Sequence, residues 1–261
     1  MPMKSHANAL RQKLVNFSEY AGGLMLLLVQ TIGWLVVPPF KRRQTSEQME
    51  HMGVNSVPIV FLTAFFAGVV IAFQSAYTMK KMSAEIYVAS LVSLSMTREL
   101  GPVFTALVVA ARVGASVTAE IGTMKVTEQI DALESLATNP IKYLVVPRFL
   151  ALVLMMPVLT LYADFVGIAG GFLVGASKLH IPPELYLRKS FDSLQYKDVL
   201  TGLLKSVVFA VIISIVACYE GMRTRGGAEG VGRSTTLSVV VSCILVIASD
   251  CFFTALFYFM F

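Results

Sequence analysis

The sequence has little charge for its length. Only 14% of its 261 residues are charged, 56% are hydrophobic, and the mean hydropathy is +0.72. A soluble domain carries roughly a quarter charged residues, which cover its core. Because that polar surface is missing, a bilayer must surround most of the side chains. This composition excludes a soluble enzyme, a disordered protein and a disulfide-built secreted module, and it predicts an all-α integral membrane protein.

Cysteine, histidine and clustered basic residues are also scarce. The three cysteines, Cys218, Cys243 and Cys251, lie in apolar stretches, and the last two are two helical turns apart, too far for a disulfide. The three histidines lie outside the apolar segments, so we expect no metal site and no redox chemistry. No Ser/His/Asp set shares a plausible cavity, which argues against an enzyme. The net charge of +5 includes only one short basic run, residues 41–43, so nucleic-acid binding is not expected.

Long apolar segments are what the sequence does have. Residues 1–20 are amphipathic, and the apolar run 24–37, ended by two prolines, is short for a span of about 20 residues. We interpret it as an interfacial or re-entrant helix, with an uncleaved signal anchor as the alternative. The chain then divides into an N-terminal segment, 1–45, and a transmembrane domain, 46–261. Five predicted spans lie in that domain: 57–77, 86–118, 149–174, 199–219 and 236–259.

Basic residues predict the orientation of these spans. With the N-terminus inside, the cytoplasmic segments hold 12 lysines and arginines and the outside loops hold 6. The positive-inside rule therefore favours an N-in, C-out arrangement. Five is an odd number and no internal repeat is visible, so we expect the chain to obtain its symmetry by forming a homodimer.

A short amphipathic helix is predicted between spans two and three. Its apolar residues follow helical spacing: Val126, Ile130, Leu133 and Ala137. Its acidic residues lie off that stripe: Glu128, Asp131 and Glu134. An acidic face suits docking into a partner's groove better than passive contact with anionic headgroups, although a helix lying passively on the membrane is the alternative.

Charged residues inside the predicted spans are candidates for function. Arg98 and Glu99 lie in span two and Lys205 in span four, and each charge costs roughly 2.5–3.5 kcal/mol at mid-bilayer. Two interpretations stay open: a polar patch that meets a charged substrate group, or a structural ion pair between the spans. An ion-coupled carrier that uses Glu99 and Lys205 as a proton relay is a functional alternative. Asp164 and Asp250 are expected to be structural.

Two glycine-containing patterns have structural explanations. Gly167, Gly171 and Gly175 have the four-residue spacing of close helix contacts. Residues 227–234 read GAEGVGRS, which approaches a phosphate-binding loop with Arg233 in place of the lysine. Such a loop needs a preceding strand in an α/β domain, so we expect a tight cytoplasmic loop instead. Arg233 would then lie at the membrane edge, where it could attract anionic lipid.

Several motifs resemble the MlaE (YrbE) permease family over nearly the whole chain. They are TRELGP at 97–102, ARVG at 111–114, TAEIG at 118–122, TEQ at 127–129, PR at 147–148, LKS at 204–206 and GRSTT at 232–236. The resemblance implies the membrane subunit of an ATP-driven phospholipid transporter of the Gram-negative inner membrane, which maintains outer-membrane lipid asymmetry. It also implies no cofactor on this chain.

The resemblance implies partners and site residues as well. The partners would be a second copy of the chain, an MlaF-like ATPase that binds ATP and Mg²⁺, an MlaB-like STAS protein, an MlaD-like hexamer of MCE domains, and phospholipid. The family's coupling helix falls on about 126–136. The lipid path and its polar patch fall on Val70, Gln74, Tyr77, Arg98, Glu99 and Lys205. We add Arg233 to this set because of its expected place at the membrane edge.

Overall fold

The computed structural model describes residues 2–38, 42–81 and 83–260, and within these ranges it contains helices and no strand. The α-helices, numbered in chain order, are α1 Pro2–Leu35, α2 Arg42–Met52, α3 Val57–Lys80, α4 Val88–Ser95, α5 Gly101–Val109, α6 Ala115–Val126, α7 Gln129–Ser135, α8 Val146–Lys178, α9 Pro183–Ser193, α10 Tyr196–Met222 and α11 Gly227–Met260. The predicted all-α class is confirmed.

Five helical stretches are long and apolar enough to cross a membrane, as predicted. They are Arg42–Lys80, Glu85–Val126, Ile141–Lys178, Tyr196–Met222 and Gly227–Phe257. Each is longer than its predicted span because the helices continue into polar residues beyond the apolar windows. Successive spans run in opposite directions, so the connections lie at two ends of the molecule. We call the end that carries α7 the α7 side and the end that carries α9 the α9 side.

The N-terminal region is one helix rather than two segments. The amphipathic stretch and the apolar run predicted as separate both belong to α1, which is not among the five candidate spans. α1 docks on the end of α10, where Tyr20 donates a hydrogen bond to Glu220 at 2.6 Å and its ring meets Tyr219 edge-on. Burial and the Glu220 carboxylate raise the pKa of Tyr20. The predicted division at residue 45 falls inside α2, which packs on α8.

Two π turns interrupt span two. They comprise Met96–Leu100 and Ala110–Gly114, and each contains a charged motif residue. Pro102 lacks an N–H group and would clash with the preceding turn of a regular helix, so a wider turn accommodates it. Insertions of this kind are frequent at functional sites.

Small residues let spans one and three cross closely, as the glycine spacing predicted. The backbone of Gly167 occupies the position that a side chain on Gly68 would need, and Met96 packs into the space left by Gly167. One helical turn before and after Gly68, the same face of α3 carries two buried alanines, Ala64 and Ala72. Packing of small residues replaces the hydrophobic effect as the force that holds helices together in lipid.

The stretch that approaches a phosphate-binding loop is helical, which corrects the predicted loop. The turn after α10 is confined to Arg223 through Gly226, and α11 begins at Gly227. Gly226 and Gly227 have φ of +91° and +68°, values that only glycine adopts without strain. With these two residues making the turn, residues 228–234 continue as the first turns of α11. No strand precedes them in the described chain.

Candidate functional site

A buried lysine joins three spans in the half of the membrane nearer the α9 side. Lys205 on α10 has a side chain only 1% exposed. Its ammonium donates to Glu99 at 2.5 Å, to the Thr254 hydroxyl at 2.8 Å and to the Arg98 carbonyl at 3.2 Å. Asp250 on α11 lies 3.0 Å from the same nitrogen. One ammonium therefore meets two carboxylates, which offsets the cost of burying its charge.

Arg98 forms a second ion pair that points away from Lys205. Its guanidinium lies 2.7 Å from Asp198. The other carboxylate oxygen of Asp198 accepts the Gln195 backbone N–H at 2.9 Å and so caps the start of α10. The predicted set of Arg98, Glu99 and Lys205 is present, but it is divided between two ion-pair networks. Sequence reasoning missed Asp198 and Thr254 and treated Asp250 only as a structural residue.

Local backbone geometry brings these charges together. Arg98 and Glu99 lie on the Met96–Leu100 π turn, which directs the two neighbouring side chains to different partners. A side chain at Gly202 would collide with the Thr97 carbonyl, so glycine allows α10 to approach the π turn closely. Lys205 follows one helical turn later and reaches Glu99 across this contact.

The two networks line one cavity of about 610 Å³. Its walls carry charges of both signs, hydroxyl groups and one aromatic ring, from Arg98, Glu99, Gln195, Lys197, Asp198, Thr201, Lys205, Thr254 and Phe257. Such a surface can form ion pairs and hydrogen bonds with a polar headgroup while apolar chains stay outside. Among the described residues no group of three potential metal ligands occurs. The charged and hydroxyl groups on these walls suit the binding of a polar group.

The other residues predicted for the lipid path lie elsewhere. Val70, Gln74 and Tyr77 are exposed on α3, which packs mainly on α8 rather than beside Lys205. Arg233 is exposed near the start of α11, whereas Thr254 lies near its end. At 1.5 Å per residue the two are about 30 Å apart. Arg233 therefore lies at the opposite end of α11 from the polar patch, and its place in the lipid path stays a prediction.

The helix α7 occupies the stretch predicted to couple to a partner. It is shorter than the predicted 126–136, because Val126 ends α6 and Glu128, with φ of +61°, turns the chain before Gln129. Ile130 is 2% exposed and anchors the helix, with Leu133 half-buried beside it.

The outer face of α7 is acidic. Asp131 pairs with Lys125 at 2.7 Å, which ties α7 to the end of α6. The Thr138 N–H donates to the Leu133 carbonyl around Ala137, at φ +56°, and this bond closes the helix. Four of the exposed residues in and beside α7 are called here the α7 surface: Glu128, Asp131, Glu134 and Leu136.

A half-buried ion pair connects the segments on either side of α7. Arg148 at the start of α8 is 5% exposed and lies 2.8 Å from Glu120 on α6. It also donates to the Leu144 carbonyl at 2.9 Å. Sequence reasoning gave Arg148 no structural role, although an arginine beside the first apolar residues of a span needs a counter-ion. The pair therefore ties α6, which precedes α7, to the start of α8, which follows it.

Comparison with known proteins identifies relatives over the whole chain. The profile of the family described as permease MlaE matches residues 45–256. A probable ABC transporter permease protein of Rickettsia felis is 45% identical over 252 residues, 97% of each chain. A counterpart of Synechocystis is 48% identical over 211 residues, covering 81% of this chain and 80% of the relative. The intermembrane phospholipid transport system permease protein MlaE of Haemophilus influenzae is 36% identical over 255 residues, covering 95% and 96%.

Proposed function

The chain belongs to the MlaE permease family, and from that membership we propose that it is the membrane subunit of an ATP-driven phospholipid transporter. The observation that carries the proposal is the Haemophilus relative, named for intermembrane phospholipid transport and aligned over nearly its full length. The cavity beside Lys205 supports it, because a mixed-charge cavity between apolar spans suits an amphiphilic substrate.

In this proposal, two copies of the chain form the centre of the transporter. The faces of α3 and α11 support a second copy, because each helix exposes many large apolar side chains, among them Phe66, Val70, Ile244 and Phe252. A second copy would cover part of these faces and enclose a lipid path lined by Val70, Gln74 and Tyr77.

The α7 side would face the cytoplasm, following the excess of basic residues there. An MlaF-like ATPase with an MlaB-like STAS protein would bind the α7 surface, and an MlaD-like MCE hexamer would cover the α9 side. ATP and Mg²⁺ would bind the ATPase alone. The membrane would be the inner membrane of a Gram-negative cell, and the role would be to maintain lipid asymmetry of the outer membrane.

Coupling would begin when closure of the two ATPases pushes on α7. The Lys125–Asp131 and Glu120–Arg148 ion pairs transmit that push to α6 and α8. Spans one, two and five then move, the cavity collapses and the lipid leaves toward the α9 side. Because Lys205 bonds to spans two and five at once, the cluster sets the balance between open and closed states.

Charge reversal on the α7 surface tests the coupling. We expect Glu128→Arg and Asp131→Arg to abolish ATP-dependent phospholipid transfer in proteoliposomes that contain the complete complex, while the chain still forms dimers. Glu128→Gln is the matched control: it removes a charge from the α7 surface without adding a positive one and leaves the Lys125–Asp131 ion pair in place, and it should keep most transport. Normal transfer by both arginine variants would show that the α7 surface does not dock the ATPase.

An ion-coupled carrier is the alternative, favoured by the contact between Glu99 and Lys205 beside a cavity. It predicts phospholipid transfer by the chain alone, driven by a proton gradient and stopped by an ionophore. The proposed transporter requires ATP and the ATPase and is unaffected by the ionophore. Measuring transfer under these two conditions decides between the functions.

A further inference from the structure

A second cavity lies on the α7 side, at the opposite end of the spans from Lys205. It has a volume of about 380 Å³ and is enclosed by α1, α2 and the start of α8. Neither the charge cluster nor the α7 surface contributes to its walls.

Two basic side chains line this cavity. Lys142, half-buried before α8, donates to the Pro38 carbonyl at 3.1 Å and lies 5.3 Å from the centre of the Trp34 ring. Arg42 begins α2 on another wall. Within the described chain no carboxylate lines the cavity or pairs with either cation. Both positive charges are therefore available to an anionic ligand.

The remaining walls are largely apolar. Met49 of α2 and Val146 and Leu150 of α8 face the same space as Trp34. A small inorganic anion would leave these side chains without a partner. An amphiphile with a negative headgroup uses both parts of the cavity, because its phosphate meets the cations while an acyl chain covers the apolar walls.

We propose that this cavity binds an anionic phospholipid, with its headgroup phosphate between Arg42 and Lys142 and an acyl chain against Trp34, Val146 and Leu150. The lipid bridges α1 and α2 to α8 and so holds the N-terminal helix against the spans. The proposal does not rest on the transport function, since the site is separate from the Lys205 cavity and needs no partner protein.

The single tryptophan of the sequence provides the test, because Trp34 lines the site. The full chain is placed in phosphatidylcholine nanodiscs, and Trp34 fluorescence is quenched with brominated phosphatidylglycerol or brominated phosphatidylcholine. Each basic residue near an anionic headgroup contributes a factor of about five, so two give a preference for phosphatidylglycerol of roughly 25-fold. Equal quenching by both lipids would overturn the proposal.

Variants separate this site from general attraction of anionic lipid to a basic protein. Arg42→Gln should reduce the preference about fivefold, and Arg42→Gln with Lys142→Gln should abolish it. Lys178→Gln with Arg188→Gln, which removes two exposed charges from the α9 side, is the matched control and should keep the full preference. Because Arg42 is exposed, its single variant is informative even if the double variant folds poorly. An unchanged preference in Arg42→Gln would overturn the assignment.

A competition experiment distinguishes a lipid from a free anion. Inorganic phosphate is added at constant ionic strength, balanced with chloride. A bound phospholipid keeps its quenching, because the acyl chain contributes to the affinity. The opposite result is that phosphate releases the quenching, at the same phosphate concentration in wild type and in Leu150→Ala. That result would show that the apolar wall contributes nothing to the affinity, and it would refute the lipid assignment.

Discussion

Replacing Lys205 with methionine measures how strongly the charge cluster holds the spans together. Methionine keeps an unbranched apolar side chain but leaves Glu99 and Asp250 without their shared cation. Breaking a buried ion pair by removing one partner costs about 3–5 kcal/mol. Because the side chains of Glu99 and Asp250 are 38% and 21% exposed, solvent in the cavity relieves part of that cost. We therefore expect a loss of about 3 kcal/mol in the free energy of unfolding.

Neutralising the carboxylate partner instead, by Glu99→Gln, should lower the free energy of unfolding by less. Lys205 keeps Asp250 and Thr254 as partners, so the loss is that of one charge-assisted hydrogen bond, about 1.5 kcal/mol at the lower end of its range. In the double variant only one carboxylate is left without a cation. The double variant should therefore lose less free energy of unfolding than the sum of the two single variants, by about 1 kcal/mol or more.

Unfolding by sodium dodecyl sulfate in mixed micelles supplies the assay, applied to both single variants, the double variant and Lys178→Met. Lys178 is an exposed lysine at the end of α8, and its variant should stay within about 0.5 kcal/mol of wild type. Two results would refute the reasoning: Lys205→Met as stable as Lys178→Met, or strictly additive losses in the double variant. Either would mean that Lys205 is not the bridge between the three spans.

Two further predictions concern close packing. Burial raises the pKa of Tyr186 on α9, so docking of α9 is stable below about pH 10, the usual tyrosine pKa, and weakens above it. The Tyr186 hydroxyl has no hydrogen-bond partner among the described residues. Tyr186→Phe should therefore be as stable as wild type at neutral pH. At pH 11 its α9 should resist cleavage by subtilisin, whereas wild-type α9 is cleaved. Gly202→Ala should collide with the Thr97 carbonyl and lower the thermal melting temperature. Gly232→Ala, which has open space around it, should not; equal melting of the two variants would contradict the close contact.

Hydropathy and charge alone predicted the five spans and left the pairing of span two with span four as one of two open interpretations. Both follow from the cost of exposing polar groups to lipid, which acts on every sequence in the same way. The partner of Arg98 was not predictable, because it depends on the π turn at 96–100. The Gly101–Pro102 pair marks an interruption there, but a kink, a break and a π turn share that signal.

Backbone conformations at ordinary residues also escaped prediction. Glu128 adopts a left-handed conformation that usually favours glycine or asparagine, so nothing in the sequence shortened the predicted α7. The Gly22–Gly23 pair lies between the amphipathic stretch and the apolar run that were predicted as separate, yet α1 is continuous through it. Gly23 instead makes room for the Tyr219 ring of α10. A glycine pair in a membrane protein is thus compatible with a docking surface as well as with a hinge.

The two cavities differ in the balance of charge on their walls, and that difference has a consequence for selectivity. Around Lys205 the basic and acidic side chains offset one another. Lys205, Arg98 and Lys197 line the cavity with Glu99 and Asp198, and Asp250, which is not a lining residue, pairs with Lys205. A balanced cavity gains little from the net charge of a headgroup, because each attraction is offset by a repulsion nearby. The cavity beside Trp34 carries two cations and no carboxylate among its described walls. We therefore expect the Lys205 cavity to accept zwitterionic and anionic phospholipids alike, and the cavity beside Trp34 to select the anionic ones.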